Sequence, residues 1–246
     1  MFKQILGEDV RGDKKLFLEL SHTKDGYFWA RAIKSTLNRD MKLGVKFGKR
    51  EFFYDIPASK RGEWKAYPLQ FANGAYTVTL YEKLFATKYI PCGWFTFFVH
   101  MKNPMKAFLY PNEYVPDVRR IEAEMTEEFE AVSELSEHMD IYREVRSYIR
   151  KGFMYDPIEA AKKQKRLPNP ERCFIEKKGT CQDLSSMAVC MLRNLGVPSR
   201  IVIGRCGKKP HSWVNVRIGD KWVRYDPTLD IRGNMTVGEY ETERWY

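Results

Sequence analysis

The chain has 246 residues, of which 43% are hydrophobic and 30% are charged, and this composition argues against wholesale disorder. No apolar run reaches the roughly 18 residues of a membrane-spanning helix. Glu8 and Asp9 come too early in the chain for a secretory signal. The sequence therefore predicts a folded protein of the cytoplasm, or a segment of an exported protein.

The net charge of +10 is unevenly distributed along the chain. Residues 1–116 hold 19 Lys and Arg against 11 Asp and Glu, whereas residues 117–246 hold 23 against 21. A basic excess in the first half fits either a solvated surface or a site for an anionic partner, such as nucleic acid or another polyanion. We favour the solvated surface, because that half contains no dense run of Lys and Arg.

The cysteines indicate which chemistry the chain can carry. The five are Cys92, Cys173, Cys181, Cys190 and Cys206. Their odd number and irregular spacing argue against a disulfide framework, and the lack of a C-x-x-C pair argues against structural zinc. We expect no metal and no other cofactor, and at least one thiol that is free to react.

The first half of the chain reads as β-structure. Apolar and polar residues alternate over 41–47 and again over 76–81, directly after the turn dipeptide Asn73-Gly74. Short alternating runs separated by turn residues are typical of antiparallel sheets. The sequence predicts an antiparallel β-sandwich-like domain over residues 1–116.

The second half combines helices and strands. Pro111 and Pro116 end the strand pattern, and we place the domain boundary between residues 116 and 117. Apolar residues then recur at helical spacing over 118–132 and over 141–149. The sequence thus predicts an α+β domain over residues 117–246.

A helix is predicted to begin at Cys181. Thr180 suits the N-cap and Asp183 follows three residues later, as in a capping box; apolar residues at helical spacing continue to Leu195, and Gly196 ends the helix. Free N–H groups and the helix dipole favour negative charge at a helix start, and hence a reactive thiolate. The other interpretation of Cys181 is a small buried apolar residue.

A hairpin downstream carries a base and an acid. Strands over 211–216 and 221–226 flank the tight turn Gly219-Asp220, so Ile218 should face Lys221. In this register His211 and Asp226 lie on one face as diagonal neighbours, roughly 7–8 Å apart at the backbone. We predict a His211–Asp226 hydrogen bond, with Cys181 within about 4 Å of the other ring nitrogen.

Four separated motifs together resemble the transglutaminase-like superfamily. They are Gly179-Thr180-Cys181, Leu195–Arg200, His211-Ser212-Trp213 and Asp226-Pro227-Thr228. The resemblance covers roughly residues 117–246. It implies a papain-like domain in which a central helix packs on an antiparallel sheet, preceded by a β-domain as in bacterial relatives.

The resemblance also implies roles for individual residues. Cys181 would be the nucleophile, His211 the base and Asp226 the residue that orients the base. Family members supply a second oxyanion donor from an aromatic side chain upstream of the cysteine, for which Tyr155 is the candidate here. A core tyrosine is the other interpretation of Tyr155, and Gln182 is the alternative donor.

The expected reaction is acyl transfer through a thioester. Trp213 is expected to pack over the site and exclude water from the His–Asp pair. We favour hydrolysis of a peptide or protein substrate, as in a protease, amidase or deamidase. The alternatives are a transglutaminase that uses an amine acceptor, acyl transfer from a small-molecule donor, and a non-catalytic binding module whose basic β-domain holds an anionic partner.

Overall fold

The computed structural model describes residues 7–33, 39–128, 137–162, 166–233 and 238–246. The chain divides into two compact units, Met1–Tyr110 and Pro111–Tyr246. No helix in the described ranges is both long and apolar enough to cross a membrane.

The division lies slightly before the boundary predicted after residue 116, because the intervening residues contact the C-terminal unit. Ser186 Oγ donates a hydrogen bond to the Tyr114 carbonyl at 2.6 Å, and Cys190 Sγ lies 3.3 Å from the Pro116 carbonyl. The Tyr114 ring stacks on Tyr246 with 3.8 Å between centroids. Pro111, one of the two prolines from which the boundary was predicted, is the first residue of the C-terminal unit.

The N-terminal unit contains two four-stranded antiparallel sheets, ordered β1-β2-β3-β6 and β5-β4-β7-β8. The strands are β1 Val10–Gly12, β2 Leu16–Glu19, β3 Tyr27–Ala32, β4 Met41–Phe47, β5 Arg50–Ile56, β6 Lys65–Pro68, β7 Gly74–Phe85 and β8 Lys88–Val99.

Aromatic side chains from both sheets meet in the core of this unit. Phe28 on β3 packs against Phe97 on β8 with ring centroids 5.7 Å apart, and Tyr67 on β6 packs against Tyr54 on β5 at 5.0 Å. Alternate residues of a strand point to opposite faces, so each sheet contributes every second side chain to this core. The packing confirms the predicted β-sandwich-like fold.

The C-terminal unit contains both helices and strands. The helices are α1 Arg119–Glu128, α2 His138–Gly152, α3 Pro157–Ala161, α4 Pro170–Glu176, α5 Cys181–Asn194 and α6 Pro227–Arg232. The strands are β9 Met154–Tyr155, β10 Lys178–Gly179, β11 Ser199–Cys206, β12 Lys209–Ile218, β13 Lys221–Tyr225 and β14 Tyr240–Trp245. The predicted helix over 118–132 is described only as far as Glu128.

Helix α5 lies at the centre of this unit. It packs on the antiparallel sheet β13-β12-β11-β14, mainly on β12 and β11, and α1, α2, α4 and α6 also contact it. Its apolar residues Leu184, Met187 and Met191 are completely buried, as the helical spacing predicted. This arrangement confirms the predicted α+β fold with a central helix on an antiparallel sheet.

Candidate active site

The start of α5 is fixed by a capping box. Asp183 N donates to Thr180 Oγ1 at 3.4 Å, and Thr180 N donates to Asp183 Oδ2 at 3.1 Å. Arg166 binds both carboxylate oxygens of the buried Asp183, at 2.8 and 2.7 Å, and Asn169 N donates to Oδ1 at 2.8 Å. Cys181, the first residue of the helix, therefore sits on a rigidly held turn.

The His211–Asp226 pair lies on the β12–β13 hairpin and the residue that follows it. The register has Ile218 opposite Lys221, as predicted. His211 Nε2 lies 2.6 Å from Asp226 Oδ2. Asp226 is also the N-cap of α6, because its Oδ1 accepts a hydrogen bond from Leu229 N at 3.1 Å. The carboxylate is thus held by the helix on one oxygen and paired with His211 through the other.

Cys181 and His211 face the same cavity, which has a volume of about 820 Å³. Because Nε2 of His211 is bonded to Asp226, Nδ1 is the ring nitrogen left for Cys181. Burial lowers the pKa of His211, but hydrogen bonds with Asp226 and Cys181 and their negative charges outweigh burial and raise this pKa to about 10. His211 is therefore an imidazolium at neutral pH when Cys181 is a thiolate.

The acid of the pair stays ionised. Burial alone would raise the pKa of Asp226, but the hydrogen bond and charge of His211 and the donors Tyr240 and Leu229 N lower it below its usual range. An anionic carboxylate beside an imidazolium fixes the orientation of the ring and stabilises its charge.

A short parallel strand pair holds Tyr155 near Cys181. β9 pairs with β10 so that Tyr155 lies opposite Gly179, two residues before Cys181. Tyr155 lines the cavity. Burial and then the nearby Cys181 charge raise the pKa of the phenol, so its hydroxyl remains a donor. The Arg232 guanidinium lies 4.9 Å from the centroid of its ring.

The other two predicted site residues differ in their position. Gln182 lines the cavity next to Cys181. Trp213 is only 2% exposed and is not among the described residues that line the cavity. It packs beside His211, with ring centroids 6.3 Å apart, and against Tyr240 at 4.8 Å. Trp213 thus packs against His211 and Tyr240, and its predicted role in excluding water from the His–Asp pair stays a prediction.

Two neighbours of the site were missed by the sequence analysis. Tyr240 Oη donates to Asp226 Oδ2 at 2.6 Å, and Arg166 both lines the cavity and anchors Asp183. Residues 239–245 show no alternation of polar and apolar side chains, so no strand signal in the sequence could have placed Tyr240 in a sheet beside Asp226.

The cavity wall carries charges of both signs. Its charged residues, apart from the candidate catalytic groups, are Glu159, Arg166, Arg205, Lys209, Glu243 and Arg244. Among the residues that the structure describes, no group of three or more His, Cys, Asp and Glu side chains could hold a metal ion.

Comparison with known proteins identifies a family for the second half of the chain. Residues 123–227 match the model of the transglutaminase-like superfamily. None of the curated proteins compared with the chain matches it.

Solved structures give distant similarities. One is a presumed cysteine protease from Cytophaga hutchinsonii, with 13% identity, a TM-score of 0.43 and coverage of 88% of this chain and 81% of that one. Another is a TGase, with 23% identity, a TM-score of 0.38 and coverage of 48% and 33%. Red sea bream transglutaminase has 13% identity, a TM-score of 0.31 and coverage of 83% and 48%.

The family match lies inside the unit Pro111–Tyr246 and spans Cys181, His211 and Asp226. The fold of this unit, with a central helix on an antiparallel sheet, agrees with that match. Residues 123–227 of the C-terminal unit therefore resemble the transglutaminase-like superfamily.

Proposed function

We propose that the C-terminal unit is a cysteine-dependent hydrolase that cleaves a peptide or carboxamide bond through a thioester on Cys181. One observation carries the proposal: His211 is bonded to Asp226 through Nε2, which leaves Nδ1 for Cys181 in a shared cavity. In this proposal Cys181, His211 and Asp226 form a catalytic triad.

The first half-reaction forms the acyl-enzyme. The Cys181 thiolate attacks the carbonyl carbon of the substrate, and the carbonyl oxygen becomes an oxyanion. The imidazolium of His211 gives its proton to the departing nitrogen, so the C–N bond breaks and an amine or ammonia leaves. Asp226 stabilises the imidazolium before this transfer and orients the neutral ring after it.

The second half-reaction releases the product. Neutral His211 takes a proton from water, and the resulting hydroxide adds to the thioester carbon. The tetrahedral intermediate then expels the Cys181 thiolate and leaves a carboxylic acid. The thiolate–imidazolium pair is restored, so no oxidant, reductant or metal enters the balance.

The oxyanion needs donors that point at it during both half-reactions. The backbone N–H of Cys181 lies in the first turn of α5, where helical N–H groups lack an intrahelical partner. We assign the Tyr155 hydroxyl as the second donor, because Tyr155 lines the cavity close enough to the Cys181 charge for the pKa of the phenol to respond. The Gln182 side chain is the alternative donor on the same wall.

Intact-mass spectrometry after rapid acid quench tests the proposal. The protein is mixed with a panel of peptides, including glutamine-containing ones, with and without an added primary amine. We expect an acyl adduct on the wild type and on Cys92→Ser, a thiol of the other unit, and none on Cys181→Ala. Conversion of the adduct to acid identifies hydrolysis, and conversion to the amide identifies transglutamination.

The proposal would be abandoned if Cys181→Ala formed the adduct and product as fast as the wild type. If the wild type is folded and none of the peptides or carboxamides in the panel forms an adduct, the result would favour the non-catalytic binding module.

A further inference from the structure

The Asp226 carboxylate accepts three hydrogen bonds. Leu229 N donates to Oδ1 at 3.1 Å, and His211 Nε2 and Tyr240 Oη both lie 2.6 Å from Oδ2. The cap of α6 accounts for the first bond and the proposed triad for the second. The bond from Tyr240 is explained by neither.

The Tyr240 ring is held by residues from two strands, and its backbone by a third. Tyr240 begins β14 and pairs with Cys206 on β11. Trp213 on β12 meets its ring edge-on, with centroids 4.8 Å apart and planes at 78°. The guanidinium of Arg224 on β13 lies 4.0 Å from the ring centroid. These contacts leave the hydroxyl little freedom to leave Asp226.

A fixed hydrogen-bond donor to Oδ2 limits the rotation of the Asp226 carboxylate. The terminal torsion of an Asp side chain has a broad energy well, so one bond to Oδ1 leaves the plane of the carboxylate free to tilt. Tyr240 removes this freedom by holding the second oxygen. Burial, and then the hydrogen bond with Asp226, raise the pKa of the Tyr240 phenol, so its hydroxyl stays a donor across the working pH range.

We propose that Tyr240 is a positioning residue of the catalytic centre: its hydroxyl holds the Asp226 carboxylate in the plane that accepts from His211 Nε2, and so keeps Nδ1 directed at Cys181. This inference rests on the proposed function. It extends the centre from three side chains to four and assigns a task to β14, the strand that lies beyond the family match.

The test begins with Tyr240→Phe, which keeps the ring with its Trp213 and Arg224 contacts and removes one hydroxyl. We expect the rates of acyl-enzyme formation and of Cys181 alkylation by iodoacetamide at neutral pH to fall on the order of tenfold, as expected for a lost hydrogen bond to a charged group. Tyr148→Phe is the matched control, because Tyr148 Oη donates to the Glu124 carboxylate at 3.0 Å in the same unit. That control should alkylate and acylate at the wild-type rate.

Measuring the effect of Tyr240→Phe in the Asp226→Asn variant as well as in the wild type distinguishes a role in positioning Asp226 from a general effect on stability. If Tyr240 acts through Asp226, then Tyr240→Phe should cause no further loss in Asp226→Asn. A loss of the same size in both backgrounds, or a Tyr240→Phe variant as fast as the wild type, overturns the inference. Alkylation requires no substrate, so these outcomes are readable even if the acyl-enzyme experiment fails, and the two failures remain distinguishable.

Proton NMR supplies a readout that a purely structural role would not move. The Nε2 proton of His211, shared with Asp226, should resonate far downfield in the wild type and shift upfield with faster exchange in Tyr240→Phe. Should that variant fail to fold, the wild type provides the alternative: a slowly exchanging Tyr240 hydroxyl proton close to His211. A rapidly exchanging hydroxyl there would count against the inference.

Discussion

The five cysteines differ in what surrounds their sulfur atoms. Burial raises the pKa of Cys190 to about 12 and raises that of Cys173 well above its usual range. Cys181 instead lies at the start of α5, in an open cavity beside an imidazole. The thiols of this unit therefore have two kinds of environment. Burial disfavours the thiolate at Cys173 and Cys190, whereas Cys181 has a cationic partner in His211.

Brief alkylation with iodoacetamide near neutral pH should label Cys181 first. The reason is that the thiolate is the reactive form of a cysteine: Cys181 shares a cavity with His211, whereas burial opposes the thiolate at Cys190 and Cys173. Peptide mapping by mass spectrometry measures the order. Labelling of Cys190 as fast as Cys181 would remove the chemical basis of the catalytic proposal, and His211→Asn should slow Cys181 selectively.

The start of helix α5 is stabilised by residues outside the helix. The capping-box residue Asp183 is buried, and its charge is balanced by Arg166, which approaches from the segment before α4. Burial raises the pKa of Asp183, but the hydrogen bonds from Arg166, Asn169 N and Thr180 outweigh it and lower that pKa. The element that presents Cys181 is therefore anchored by tertiary contacts as well as by its own cap.

Arg166→Ala should destabilise the protein by roughly 2 kcal/mol, because hydrogen bonds to charged groups contribute about 1.5–3 kcal/mol and Asp183 keeps its other donors. Equilibrium unfolding in urea measures the loss. Arg143→Ala is the control, since the Arg143–Asp140 pair is largely exposed and such pairs contribute little. Equal stability of Arg166→Ala and Arg143→Ala would show that this contact does not anchor α5.

At the scale of the whole molecule, the basic excess of the first half meets a surface where many cations already have partners. Lys42 lies 3.2 Å from Asp55 and Lys83 lies 3.0 Å from Asp40. The interpretation of this half as a solvated basic surface stays a prediction.

Binding of the full chain to heparin should accordingly be weak at physiological salt and fall steeply as salt rises, because only counterion release drives it. Retention on a heparin column at several salt concentrations measures the slope. Tight, sequence-selective binding to a nucleic acid at the same salt would show instead that the basic half holds a specific anionic partner.

Protonation of His211 should make the folding stability of the protein decrease as the pH rises. Its pKa is raised from 6.5 to about 10 in the folded protein, so the folded state holds a proton that the unfolded state releases. The contribution of His211 to the free energy of unfolding is complete below about pH 6.5 and is lost as the pH rises through about 10. Comparing the unfolding free energies of the wild type and His211→Asn across this window should show the wild type losing its advantage; parallel curves would contradict the shift.

The sequence predicted those parts of the fold that depend on local patterns. The capping residues and apolar spacing of α5 and the two-residue turn at Gly219-Asp220 are short-range features, and the hairpin register placed His211 and Asp226 on one face. Contacts between residues far apart in the chain could not be predicted from the sequence. Asp226 follows β13 and Tyr240 begins β14, and these two strands form opposite edges of the sheet β13-β12-β11-β14, so their contact depends on how the sheet packs. The enclosed position of Trp213 depends in turn on Tyr240.

We infer an ion pair between Cys181 and His211, and an NMR titration of His211 measures the protonation of the histidine in that pair. The chain has four histidines, so the His211 resonance is assigned by its loss in His211→Asn. We expect His211 to titrate with a pKa near 10 in the wild type and clearly lower in Cys181→Ala, because the thiolate raises it. Titration of His211 near its ordinary value of 6.5 in both proteins would show that Cys181 and His211 do not form this ion pair.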